Sequence, residues 1–234
     1  YANGLVAAWG AGITNVGGSS INRGQSIVPP MLGPVRQVAG GDYHSVALRF
    51  DRSVTCWGAG TTVSQTNGEY GQCIVPASLG PAKQIAAGNY HSIAIRTDGT
   101  VACWGNNTSG QCDVPSSLTS VEQVAGGKSF TVALTSDGTV LGWGLNDAGQ
   151  CTPPPGLGRV LQISAGASHV AAIVGTPCPG DMDLNEVVDG VDLGILLGSW
   201  GPAIYGVRGD INSDGVVDGS DLGLLLGSWG TCPD

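Results

Sequence analysis

The sequence predicts a mainly β protein: four repeats, each a small antiparallel sheet, over residues 1–175, and a small α module over residues 176–234. Three observations predict this. Trp-Gly recurs at Trp9, Trp57, Trp104 and Trp143, with spacings of 48, 47 and 39 residues. Forty glycines and 13 prolines, without a Gly-X-Y period, favour short strands and tight turns over long helices. Two aspartate-rich segments lie 29 residues apart near the C-terminus of a chain in which only 12% of residues are charged.

The repeats come first. Each begins with an apolar segment ending in Trp-Gly ("VAAWG", "VTCWG", "VACWG", "VLGWG") and continues through a Gly-Gln turn ("RGQS", "YGQC", "SGQC", "AGQC"). An alternating segment follows, as in "RQVAGGDYHSVALRFDRS" and "KQIAAGNYHSIAIRTDGT". The period-two alternation of "HSVAL" and "HSIAI" reads as strand, and "DGT" before the next Trp-Gly strand reads as a hairpin turn. Units of about 40 residues that stack sheets fit a β-propeller. The order WG, GQ, VP, Q-V-A-x-G, H-S-x-A-L and D-G-T resembles the regulator of chromosome condensation repeat in its bacterial forms, over about residues 1–174. That resemblance implies a propeller-type fold, and seven blades are usual in the family.

Repeat phase separates scaffold from site. His44, His91 and His169 share one repeat position, and the third repeat places Phe130 there, so packing rather than catalysis is expected of them. The four tryptophans are assigned to the core by the same reasoning. No GxSxG, HExxH or phosphate-binding loop is present, and the repeats are read as non-enzymatic.

The tail explains the aspartates. Ca²⁺ takes six to eight oxygen ligands, and an EF-hand-type loop supplies them from positions 1, 3, 5, 7, 9 and 12. The first segment places Asp181, Asp183, Asn185, Val187 (through its carbonyl), Asp189 and Asp192 there. The second places Asp210, Asn212, Asp214, Val216, Asp218 and Asp221. Gly215 suits the sharp turn at position 6, where the first loop has Glu186. The bland alternative is a pair of solvated acidic loops. Each loop runs into an apolar segment ("DLGILLGSWG", "DLGLLLGSWG") that predicts a short helix starting at the last ligand, and "TPCPGD" and "GVRGD" are too short for entering helices. Two loop-helix halves without entering helices resemble a dockerin, over about residues 178–232. The resemblance implies two Ca²⁺ sites and a cohesin-like or cell-surface partner. Gly190-Val191 and Gly219-Ser220 stand where a Ser-Thr pair is frequent in that family.

Seven cysteines beside calcium loops suggest an oxidising exterior. Co-occurrence within repeats favours Cys56 with Cys73 and Cys103 with Cys112, and Cys178 with Cys232 would clasp the module's ends. Cys151 is left over because Gly142 occupies its partner's position, making it a buried thiol or an intermolecular link.

Net charge is −9. Residues 1–175 hold eight acidic and eight basic residues, so the excess lies in the tail, with ten acids and Arg208. No basic surface suits nucleic acid, and no apolar run suits a membrane span. A start at Tyr1 is read as a chain numbered after processing, or from inside a precursor. The first strand lacks a preceding "HSVAL" strand, and "SHVAAIVG" lacks a following Trp-Gly strand, so the two are complementary halves of one blade. The sequence therefore points to an extracellular or cell-surface bacterial protein that assembles with copies of itself, through a filament or a closed ring. The alternative is a secreted binding module for protein or glycan, recognising its ligand through the insertions "ITNVGGSSINR" and "TTVSQTNGEY" and tethered by its tail.

Overall fold

The computed structural model describes residues 4–12, 22–64, 68–175, 180–183, 187–202, 209–212 and 214–232. The chain divides into two compact units, 1–173 and 174–234.

In the first unit, three three-stranded antiparallel sheets follow one another along the chain. They are β1 (Val35–Gly40), β2 (His44–Arg49) and β3 (Val54–Gly58); β4 (Ala82–Ala87), β5 (His91–Arg96) and β6 (Val101–Gly105); and β7 (Val121–Gly126), β8 (Phe130–Thr135) and β9 (Val140–Gly144). A fourth sheet has only two strands, β10 (Val160–Ala165) and β11 (Val170–Val174).

Each sheet is thus assembled from the second half of one sequence repeat and the Trp-Gly strand of the next, so four sequence repeats give three complete sheets. Residues 4–9, the first Trp-Gly segment, are described without strand structure.

Local chemistry sets the hairpins. Asp98 Oδ1 accepts both the backbone N–H and the hydroxyl of Thr100, at 2.9 and 2.6 Å, and the intervening Gly99 takes φ 85°. Asp137, Gly138 (φ 84°) and Thr139 repeat the turn. In the first hairpin Arg52 occupies the glycine position at φ 69°, a left-handed conformation that opposes its Cβ.

Burial occurs between sheets. Val46 and Leu48 of β2 pack with Ile85 of β4, Ala94 of β5 and Trp104 of β6. Ile93 and Ile95 of β5 pack with Val124 of β7 and Trp143 of β9, and Val132 and Leu134 of β8 pack with Val160 and Ile163 of β10. The core is therefore a series of apolar layers, each made by two consecutive sheets.

The second unit contains α1 (Gly190–Gly198) and α2 (Gly219–Gly227). Two short antiparallel pairs join them: β12 (Val187–Val188) with β15 (Gly230–Thr231), and β13 (Gly201–Pro202) with β14 (Val216–Val217). Met182, Val188, Leu196, Val217 and Leu225 form its core. The helices begin two residues before Asp192 and Asp221, not at them. Asp189 and Asp218 act as N-caps, and the later aspartate closes a capping box from position N3.

Candidate functional site

A joint of constant chemistry links consecutive sheets. Gln37 donates from Nε2 to the Ile85 carbonyl at 2.8 Å and accepts the Ile85 N–H at 2.9 Å, clamping one backbone position of the next sheet. Gln84 does the same to Val124 (3.5 and 3.0 Å), and Gln123 to Ile163 (2.9 and 2.8 Å). Trp57, Trp104 and Trp143, all 7–8% exposed, donate from Nε1 to the carbonyls of Gln25, Gln72 and Gln111 at 2.8–2.9 Å. The same carbonyls accept the hydroxyls of Ser45, Ser92 and Thr131.

The histidines complete the joint. His44 Nε2 lies 3.0 Å from Ser92 Oγ, and His91 Nε2 lies 3.1 Å from Thr131 Oγ1. Because both hydroxyl protons go to carbonyls, each imidazole is the donor, protonated at Nε2. Burial pushes both imidazoles down to about 4, and for His44 the nearby His91 adds to the effect. Phe130, at the same position, faces the next sheet at Val170, which has no hydroxyl to receive a proton. The His-to-Phe exchange is therefore matched across the joint.

The repetition stops at the fourth sheet. Gln162 and His169 are exposed, and β11 carries Ile173 at 56% exposure. At the opposite end Val38, equivalent to the clamped Ile85, Val124 and Ile163, is 55% exposed, and Trp9 is 83% exposed. The expectation that every repeat tryptophan and histidine is packed thus fails for Trp9 and His169, because no sheet among the described residues covers either.

A second candidate is the loop that precedes each helix. In the first, Asp181, Asp183 and Asp192 bring one carboxylate oxygen each within 4.8 Å of one another. Asp192 accepts the N–H groups of Met182, Asp183 and Asp189. Burial would raise its carboxyl, but these donors outweigh it and hold the group below the usual carboxylate range. In the second loop Asp221 repeats this with Ile211, Asn212 and Asp218. Asp210 accepts the Asp214 and Gly215 N–H groups, and Asp214 accepts that of Val216. Gly215 has φ 89°, the turn expected at position 6. Val187 and Val216 begin β12 and β14. Asn185, Glu186 and Cys178 lie outside the described residues.

Disulfides join Cys56 to Cys73 and Cys103 to Cys112, with Cα–Cα distances of 5.0 Å. Cys151 is a half-buried free thiol whose Sγ lies 3.3 Å from the Leu145 carbonyl, and burial pushes it up. Cys232 packs half-buried against the core of the second unit. Among the described residues no helix is long and apolar enough to cross a membrane.

Sequence reasoning missed one cluster. Tyr43 stacks on Tyr90 (centroids 5.6 Å apart) and Tyr70 meets Tyr90 edge-on (5.1 Å), beside an Asn89–Asp42 hydrogen bond of 2.7 Å. The signal available was the tyrosine shared by "DYH" and "NYH", next to an insertion that ends in Tyr70.

Residues 35–72, 82–111 and 121–150 match the regulator of chromosome condensation (RCC1) repeat. These segments contain all nine strands of the three complete sheets. Human WBSCR16 is similar at 24% identity and a TM-score of 0.51, over 65% of this chain and 48% of that one. The Arabidopsis thaliana receptor kinase ACR4 ectodomain is similar at 25% identity (TM-score 0.47, 62% and 47% covered), and Prp20p of Saccharomyces cerevisiae at 23% (0.49, 60% and 41%). The chain spans less than half the length of each. No curated protein matches it. The first unit is built of RCC1-like repeats in a β-propeller-type fold.

Proposed function

We propose that the chain is an extracellular, non-enzymatic structural protein of bacterial type that assembles with copies of itself through its repeat unit and carries a dockerin-like, calcium-stabilised module at its C-terminus. One observation carries the assembly reading. The β10–β11 sheet has two strands where its three predecessors have three, and among the described residues no strand pairs with the apolar outer edge of β11. Open edges pair by strand addition, which satisfies a row of backbone groups at once.

The module reading rests on donor chemistry. Asp181, Asp183 and Asp192 in the first loop and Asp210, Asn212, Asp214 and Asp221 in the second offer the all-oxygen set that a hard divalent cation takes. Asn185, Asp189 and Asp218, and the carbonyls of Val187 and Val216, would complete the two sites. Bound Ca²⁺ would neutralise the crowded carboxylates, and a cohesin-like or cell-surface protein would be the module's partner. The two disulfides favour an oxidising location.

Light scattering of the full chain with calcium tests assembly: particles larger than one chain are expected at tens of micromolar, and a strictly monomeric protein would overturn the reading. The tyrosine cluster favours a second reading, a binding module whose aromatic face takes a glycan or peptide. Monomeric protein that loses ligand binding on Tyr90→Ala would favour it.

A further inference from the structure

A cavity of about 310 Å³ opens beside β11, and repeat arithmetic identifies what is missing from it. In the sheet before, Trp143 packs among Ile93, Val101, Val114, Leu118 and Ala133 and donates to the Gln111 carbonyl. The residues 39 positions later are Val132, Val140, Pro153, Leu157 and Ala172, followed by Gln150 for Gln111. All six line the cavity. The cavity is therefore the tryptophan socket of a third strand, and among the described residues neither an indole nor a hydroxyl donor reaches the Gln150 carbonyl, Val170 standing where Ser45, Ser92 and Thr131 stand.

The matching plug is on the same chain. The Val35 N–H donates to the Gly4 carbonyl at 2.8 Å, as Ala82 does to Arg52 (2.9 Å) and Val160 to Gly138 (3.0 Å). Residues 4–9 thus lie against β1 as each third strand lies against the sheet that follows it, but without a sheet of their own, and Trp9 is left in solvent. We propose that residues 5–9 of a second copy of this chain complete the fourth sheet, with that copy's Trp9 seated in the socket and donating to the Gln150 carbonyl.

The remaining loose ends then meet by the rule the three internal joints obey. Gln162 reaches the backbone of Val38 in the second copy, as Gln123 reaches Ile163, and His169 meets its Ser45, as His44 meets Ser92. The occupant is a second copy because residues 5–10 carry the same apolar run ending in Trp-Gly that fills the three internal sockets, and among the described residues Trp9 is 83% exposed. The contact is head-to-tail, so a joined pair still presents one free plug and one free socket and chains can grow. The inference rests on the self-association proposed above and adds the residues that make it.

The test uses two full-length variants with calcium present. Trp9→Ala removes the plug, and Ala172→Arg, at an exposed position, places a charge in the socket. Each alone is expected to weaken association at least about 100-fold, the loss typical of a central anchor. Mixed in equal amounts, they are expected to form dimers that grow no further, since one working plug meets one working socket. Alkylation of Cys151, which lines the socket, is expected to slow in the assembled wild type and not in Trp9→Ala. If the wild type assembles while Trp9→Ala assembles equally well with Cys151 still reactive, this joint is wrong and self-association by another surface stands. A wild type that stays monomeric overturns both.

Discussion

Replacing His91 by Phe together with Thr131 by Val should make the repeat unit less sensitive to acid. The chain already contains this pair as Phe130 and Val170 one joint later, so the exchange copies a native solution. His91 is fully buried, and burial lowers it from the ordinary 6.5 to about 4. The depressed value fixes the sign. Between those pH values the unfolded chain binds a proton that the folded chain does not, so stability is complete above about 6.5 and is lost as pH falls toward 4. At about 1.4 kcal/mol per pH unit, each buried histidine removes roughly 2–3 kcal/mol between pH 7 and pH 4.5. His44 has the same burial and a similar value, so the pair accounts for about 5 kcal/mol, a large share of a domain's usual 5–15 kcal/mol. Urea unfolding of the β signal at the two pH values measures the difference. The double variant should lose roughly 2–3 kcal/mol less than the wild type on acidification and stay within about 1 kcal/mol of it at pH 7. Equal acid losses in the two proteins would refute the assignment of acid sensitivity to these imidazoles.

Arg52→Gly should stabilise by about 0.5–1 kcal/mol, because it relieves a left-handed arginine in an exposed turn whose counterparts are Gly99 and Gly138, and thermal unfolding reads the gain. Gly142→Cys should form a further bridge with Cys151, from whose Cβ a Cβ at 142 would lie 2.9 Å, so the two segments part slightly to admit it, and non-reducing peptide mapping should find it. Chelation should unfold residues 178–232 while leaving the β signal, and Asp210→Ala should weaken the second site in calorimetry. An absence of heat with millimolar Ca²⁺ would end the calcium reading.

The strands and turns were legible because their signals are local. "DGT" carries its own Asp-to-Thr hydrogen bonds, and "HSVAL" carries its alternation. Cys56–Cys73 and Cys103–Cys112 were legible because both partners are present in the second and third repeats and both are missing from the first. What the sequence hid is relational. Trp9 sits in the same pattern as Trp57, and only the absence of a sheet beside it distinguishes an exposed indole from a buried one. Phe130 could be recognised as a structural substitute for histidine, but its match to Val170 spans 40 residues and a sheet boundary, beyond the reach of any period within one repeat. The helix starts were placed two residues late because Asp192 and Asp221 serve as the third helical residue as well as the last oxygen donor in the loop pattern.

The crossed strand pairing of the C-terminal unit sets how that unit melts. β12, which leads into the first helix, is paired with β15 after the second, and β13 after the first helix is paired with β14 before the second. Neither half owns a complete ladder, and Val188 and Leu196 of one half share a core with Val217 and Leu225 of the other. Damage to one loop therefore cannot be confined to it. The two halves unfold in a single transition, so a substitution in either loop lowers one shared midpoint rather than splitting the curve into two steps.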